Sequence, residues 1–553
     1  MAEPLGSRIM RFLVLVVAAL VVVGCGPTEV SSRSAGIVDL AACESTIDEE
    51  GLRRDLEALA SDAMEGRGPG TAGDLRAREY IVNGLAAAGV EPGAADGSWM
   101  QPVPITGIRS TVTRPLQAFT KDGGALFVER EEWTCFAYAP KPTSRIDKAD
   151  VVFVGYGITA PDQRWDDFKD VDVRGKVVLI MNDDPSSDPA LFAGKTRLYY
   201  GRWTYKYEEA RRRGAVGAII IHTTPSAAYP FQVVQSNHGQ ERCWLPFVDE
   251  QPLELAMWMT EEASRKLAAL GGRDSDVLRK AAESRDFRPV SLDVQLSVAT
   301  SNVVRALQSA NVVGVMKGHD PLLRDEAVVV TAHFDHLGIG TPKNGDTVYN
   351  GALDNASGCA GFLALARALK DAKPRRSILF LAVTAEEQGL LGSEWYARHP
   401  TWERRKIVAN FNFDGMNIWG RTRDLRLVGY GRSTLTEDVV AEASARGRKV
   451  LPDANPETGM FYRSDHFNFA RIGVPSIYPG SGSDFLEDGD TRRSVQRSYT
   501  ALHYHQPSDE IDARWRLDGA VDDLRLWLAV LGRVADADRR PTWTKGDEFE
   551  KER

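Results

Sequence analysis

Cysteine is scarce in this chain: five in 553 residues, at positions 25, 43, 135, 243 and 359. No two of them form a CxxC pair, so a zinc ribbon is excluded. Basic character is lacking as well. Lys and Arg total 68 against 77 Asp and Glu, a net charge of -9, with no basic block or zinc-finger spacing. Nothing here supports nucleic-acid binding. The glycines of "GYGI" and "GYGR" lack GxGxxG spacing and a following helix start, and there is no Walker-type loop, so no nucleotide cofactor is expected. Internal repeats and heptad arrays are absent too. The apolar run "FLVLVVAALVVV" (12–23) has twelve residues. As a helix it rises about 18 Å against a hydrocarbon core of roughly 30 Å, too little to span a bilayer.

That run does have another use. Arg8 and Arg11 precede it, and Gly24 and Cys25 come directly after it. A charged start, a short apolar core and a small residue make a secretory signal. "VVGC" (22–25) resembles the lipobox of bacterial lipoproteins. The resemblance implies that residues 1–25 act as the signal, that Cys25 is lipidated, and that the chain is held by lipid at the outer membrane or periplasmic face of a bacterial envelope. A plain secretory signal with an incidental cysteine remains the alternative. Residues 26–47 begin small and polar, as a tether does. Export permits a disulfide, and Cys135–Cys243 is the first pair to test. Cys359 falls in the apolar helix pattern "ASGCAGFLALARALK", where a thiol packs as a small hydrophobe.

A content of 43% hydrophobic and 26% charged residues is that of a soluble globular protein, and 553 residues suggest two or three domains. Residues 48–110 begin with two helical patterns. Residues 111–300 carry short apolar runs broken by Gly, Pro and Asp ("ADVVFVGYGI", "GKVVLIMND", "VGAIIIHT") and one good helix, "YKYEEARRRGA". This is a strand-rich insert with a core at about 148–250. From 301 to 540 strands and amphipathic helices alternate. The expected fold is α/β, a mixed and mostly parallel sheet sandwiched by helices. A charged, frayed tail is expected at 541–553.

The chemistry lies at the strand ends of the last region. "AVVVTA" runs into His333 and Asp335, "SILFLAVTA" into Glu386 and Glu387, and "IVANFNF" into Asp414. In open α/β sheets ligands gather outside the carboxyl ends of the strands. Asp354 in "NGALDNASG" and His505 in "HYHQPSDE" sit in turn-like segments. Any one of these could be a surface group, and Asp354 a helix N-cap. Acids and histidines at three strand ends together point to a metal site of carboxylate and imidazole, suited to zinc, manganese or iron. Two histidines with several acids suffice for two ions if one carboxylate bridges. Glu386 and Glu387 are consecutive and diverge, so one can bind metal while the other faces an attacking water.

"AHFDHLG", "GALDNASG", "TAEEQGLLGS", "FNFDGMN" and "YHQPSDE" resemble, in order and spacing, the motif series of the M28 family of co-catalytic zinc aminopeptidases. The resemblance reaches "LASDAMEGRGPGTAG" (59–73), and the insert resembles the protease-associated domain of many members. It implies two zinc ions per chain. His333 and Asp414 hold one, Glu387 and His505 the other, and Asp354 bridges. Glu386 is then the general base, and Asp335 fixes the His333 tautomer. A cis peptide after the bridging aspartate is also implied. His336 is read as structural, on the side opposite Asp335, and His503 as the alternative to His505. Tyr462 and Tyr504 are equal candidates for steadying the oxyanion.

The expected activity is removal of N-terminal residues from peptides with a free N-terminus. A carboxypeptidase is the runner-up, and it would need arginines for a terminal carboxylate; Arg421, Arg423 and Arg463 are near in sequence. A binding protein on a dead peptidase scaffold is the non-enzyme alternative, and it fits poorly with a complete ligand set.

Overall fold

The run Ala327-Val328-Val329-Val330 feeds two cores at once. It lies in the fully buried strand Ala327–His333. Val328 and Val330 pack with Leu52, Leu56, Phe362, Leu365, Leu524 and Leu528. Those side chains come from helices Glu49–Leu59, Gly358–Ala368 and Asp518–Asp536. Ala327 and Val329 face the other way, onto Leu379, Leu381, Tyr396 and Phe469. Alternate residues of a strand point to opposite faces, so a continuous apolar strand marks a sheet covered on both sides.

This is a computed structural model that describes residues 39–247 and 251–552. The signal-like segment, Cys25 and most of the tether lie outside the described residues. The C-terminal part of the sheet runs Lys449–Pro452, Asp424–Val428, Ser476–Gly480, Ile407–Asn412, Ala327–His333, Ser377–Val383 and Val290–Met316. Ala327–His333 pairs in parallel with both neighbours, so all three strands end at the same edge. Antiparallel pairs join Val290–Met316 to Ser377–Val383 and Asp424–Val428 to Ser476–Gly480. The expected mixed, mostly parallel sheet between helices is the observed one.

Two long strands, Met100–Thr120 and Val290–Met316, were not legible in the sequence. They pair antiparallel along most of their length. Residues 312–316 bond to Ser377–Val383, while residues 290–301 bond to Thr143–Phe153. The boundaries placed at 110/111 and 300/301 therefore fall inside continuous strands. Prolines are rare inside a sheet, yet Pro102 and Pro104 fall within Met100–Thr120, and Val103 and Ile105 between and beside them are buried. The insert continues with Thr143–Phe153, Val177–Met181, Gly217–His222 and Leu255–Thr260 in parallel, and an antiparallel edge strand Trp133–Ala137. Helix Trp203–Arg212 packs Tyr207 and Ala210 against it.

The cysteine pair left open is answered, and the expectation of a frayed tail is corrected. Cys135 and Cys243 are free and buried, on strands with different partners and in different cores. The tail is not frayed up to residue 552. Trp543 and Phe549 are buried against Phe461, Tyr462 and Phe467, and Trp543 Nε1 donates to the Gly473 carbonyl at 3.0 Å. Two aromatic residues anchor an otherwise charged segment.

Candidate metal centre

Three parallel strands deliver His333, the Glu386–Glu387 pair and Asp414 to one edge. Asp354 and His505 arrive on loops and complete the group. His333 Nε2 lies 3.2 Å from Asp354 Oδ1 and 3.3 Å from Asp414 Oδ1. His505 Nε2 lies 3.0 Å from Asp354 Oδ2 and 3.1 Å from Glu387 Oε2. The two oxygens of Asp354 thus face different histidines, each with its own second acid.

The charge balance explains what such a cluster wants. Burial alone would lower the His333 pKa, yet Asp414, Glu386 and Asp354 raise it well above the ordinary value. Burial is likewise overcome at His505, where Asp354 and Glu387 lift the pKa to about 10. Metal-free, the imidazoles hold protons as countercharge; cations fill the same need, and oxygen and imidazole donors suit zinc. Glu386 is different. Burial raises its pKa well above the usual carboxylate range, and although His333 opposes this, Asp414 and Glu387 add to it.

Residues 311–528 match the profile of peptidase family M28. Over that region the chain is similar to peptidase family M28. An aminopeptidase of Pseudomonas aeruginosa is 33% identical over 262 residues, 44% of this chain and 46% of its own. Aminopeptidase YwaD of Bacillus subtilis is 29% identical over 243 residues, 43% of this chain and 47% of its own. The chain thus spans about half the length of these curated relatives. The solved aminopeptidase from Aneurinibacillus sp. strain AM-1 shares the fold, with a TM-score of 0.52 at 19% identity, over 91% of this chain and 97% of that one.

The supports of this site were only partly legible. Asp335 lies with its carboxylate 3.8 Å from His333 Nδ1, too far to bond; the ring instead faces the Asp335 backbone carbonyl at 3.3 Å. The Asp335 carboxylate accepts the backbone N–H groups of Glu386 and Glu387 at 3.1 and 3.3 Å, fixing that dipeptide. His336 is corrected. The strand ends at His333, so alternation no longer applies, and His336 Nδ1 meets Glu387 Oε1 at 2.8 Å. His336, Asp354 and Glu387 could themselves hold an ion. His505 is the better fit because it touches both Asp354 and Glu387, whereas His336 approaches Glu387 on its other oxygen. His503 turns away to Ser508.

The Asp354–Asn355 peptide is cis. Asn355 is fully buried; its Nδ2 donates to the carbonyls of His333 and Phe413 at 3.1 and 3.0 Å, and its Oδ1 accepts from Gly358 and Gly415 at 3.0 and 2.8 Å. Asp509 accepts the N–H groups of Leu353 and Asp354 and the Tyr499 hydroxyl. Arg67, from the upstream motif, donates to the carbonyls of Phe334, Leu59, Asn350 and Gly351. Ser464 Oγ donates to Asp414 Oδ2 at 2.6 Å.

The tyrosines divide. Tyr462 gives its hydroxyl to Glu548 of the tail, which commits it away from the acids. Tyr504 is half-exposed and stacks on His505, with centroids 3.9 Å apart. Tyr478, which sequence reasoning missed, donates to the Asp414 carbonyl at 3.0 Å. Arg421 and Arg423 pair with Asp518 and Asp484. Arg463 alone of the three sits beside the site, next to Ser464.

Proposed function

We propose that the chain is an exported di-zinc aminopeptidase that removes N-terminal residues from peptides. The observation that carries this reading is Asp354, whose two oxygens face two histidines 3.2 and 3.0 Å away, each paired with a further acid. His333 and Asp414 would hold one zinc, His505 and Glu387 the other, and Asp354 both. Bound there, zinc supplies Lewis acidity, which acidifies water and polarises a carbonyl.

The chain's own residues do the rest. Glu386, raised in pKa and free of ligand duty, takes the proton of the attacking water and hands it to the leaving amine nitrogen. Asp335 keeps Glu386 in register through the backbone bonds. Tyr504, whose ring stacks on His505, offers its hydroxyl for the developing oxyanion. The insert, read as a protease-associated domain, walls the cleft. Cys25 anchors the chain by lipid; unchanged membrane fractionation of Cys25→Ser would refute that part.

The function is tested with the purified chain on aminoacyl-anilides and N-blocked peptides. Turnover of free-amine substrates, lost with chelator and restored by zinc, is the expected result. Equal turnover of blocked peptides, or indifference to chelator, would overturn it.

A further inference from the structure

The long strand Val290–Met316 joins the insert to the catalytic part, and between them one of its edges is left open. Along one edge Met100–Thr120 pairs with it through residues 295–312. Along the other, Thr143–Phe153 of the insert pairs with it as far as Ser301, and Ser377–Val383 of the catalytic part takes over only at Val312. No strand among the described residues bonds to that second edge between 302 and 311. Alternation gives the direction of the backbone groups there. The Asn302 N–H donates to the Pro142 carbonyl at 2.8 Å, on the insert side, and the Val313 N–H to the Trp99 carbonyl at 2.8 Å, on the side of Met100–Thr120. Successive strand residues turn their N–H and C=O groups to opposite edges, so those of Val304 and Ala306 point into the gap.

That stretch is unshielded. Val303 is 67% exposed and Val304 38%, and Arg305 and Ala306 are exposed as well. Among the described residues, no hydrogen bond reaches the N–H or carbonyl of Val304 or Ala306. Folded proteins guard an apolar edge with charge or a covering segment. Arg305 is no such guard, because Glu241 holds it at 2.7 and 2.6 Å from a strand on the far side of Met100–Thr120. The gap is also continuous with the metal centre. At its catalytic end Ser309 Oγ lies 2.6 Å from Thr384 Oγ1, and Thr384 runs into the Glu386–Glu387 pair. From Ser309 back to Val304 is about 16 Å of strand. Its two ends limit what can enter. A second folded copy would bring a whole sheet, which Thr143–Phe153 and Ser377–Val383 bracket and obstruct. A single extended chain fits.

We propose that the open edge at 303–306 takes the downstream part of the peptide substrate as an added strand, making the enzyme selective for unstructured peptides long enough to reach it. This rests on the exopeptidase reading above. With its N-terminus at the metal centre, the peptide runs from Ser309 toward Val304, antiparallel to Val290–Met316. Its residues beyond about the fourth then meet the edge. Main-chain bonds carry the affinity, so side-chain sequence in that part of the peptide matters little.

The experiment uses the zinc-loaded full chain. Initial-rate kcat/KM is measured on leucine anilide and on neutral leucyl-peptide amides of two, four and eight residues. Two further octapeptides carry backbone N-methyl groups after the fourth residue, one on even and one on odd positions. The wild type should favour the octapeptide over the tetrapeptide by about tenfold or more, since each net backbone hydrogen bond is worth roughly two- to tenfold. One methylated octapeptide should drop to the tetrapeptide's value and the other keep its advantage, because only alternate N–H groups face the edge. Val304→Pro and Ala306→Pro remove donors aimed into the gap, and in both the octapeptide-to-tetrapeptide ratio should fall toward one. Each ratio is internal to its preparation, so partial misfolding cancels, and if neither variant folds the methylated pair decides. A wild type that cleaves leucine anilide without any length preference overturns the added strand alone. So do equal effects of the two methylation patterns, or a ratio kept in both variants. A wild type that sediments as a dimer and turns monomeric in Val304→Pro gives the edge to a second copy and overturns it too. No cleavage of any free-amine substrate by zinc-loaded wild type overturns the exopeptidase reading and the added strand with it.

Discussion

Glu386→Gln isolates the proton carrier from the metal ligands. No side-chain hydrogen bond to Glu386 is found among the described residues, whereas Glu387 meets His336 at 2.8 Å and His505 at 3.1 Å. Glutamine keeps the volume of Glu386 and removes only its capacity to take a proton. A positioned general base contributes about 10²- to 10⁴-fold. At 1.36 kcal/mol per decade, that is about 3 to 5 kcal/mol of barrier. The variant should therefore bind zinc normally, melt like the wild type and lose at least a hundredfold in kcat, with KM little changed. Glu387→Ala should behave oppositely. It strips two imidazoles of their acceptor and the second half-site of an acid, so zinc affinity and Tm fall and excess zinc restores part of the activity. Steady-state kinetics beside elemental analysis reads both variants. Near-normal kcat for Glu386→Gln at full zinc occupancy would refute the assignment.

Packing sets three further outcomes. Asn355→Ala leaves two carbonyls and two N–H groups without partners in a fully buried place. At about 1 kcal/mol or more per unsatisfied group, a loss of roughly 4 kcal/mol is expected, read as a lower urea midpoint; a midpoint within error of wild type would contradict it. Deleting residues 541–553 exposes Phe461 and leaves Arg432 without Asp547 and Glu548, its partners at 2.8 and 2.7 Å. The Tm should fall, whereas a dispensable tail would leave it unchanged. Cys43, Cys135, Cys243 and Cys359 are free and buried. They should resist thiol reagents until the chain unfolds, and reductant should not shift Tm; a reductant-sensitive Tm would point to a disulfide.

The catalytic part was legible because its physics is local. The run Ala327–Val330 alternates between two cores, and the residues just past the end of a buried parallel strand must lie at its carboxyl edge. His333, the Glu386–Glu387 pair and Asp414 could be placed by that rule alone. His336 could not, because the strand stops before it and a loop has no alternation to read. Asn355 and Asp509 look like ordinary turn residues until their bonding is seen in space. Met100–Thr120 was hidden by prolines, and the tail by its charge, although Trp543 and Phe549 were visible.

The central claim is that Asp354 serves two metal ions at once. Its most direct test is the zinc content of purified wild type and Asp354→Ala after dialysis against limiting zinc. The account predicts two equivalents in the wild type and the loss of both together in the variant. One equivalent in the wild type, or one fully retained in Asp354→Ala, would contradict it.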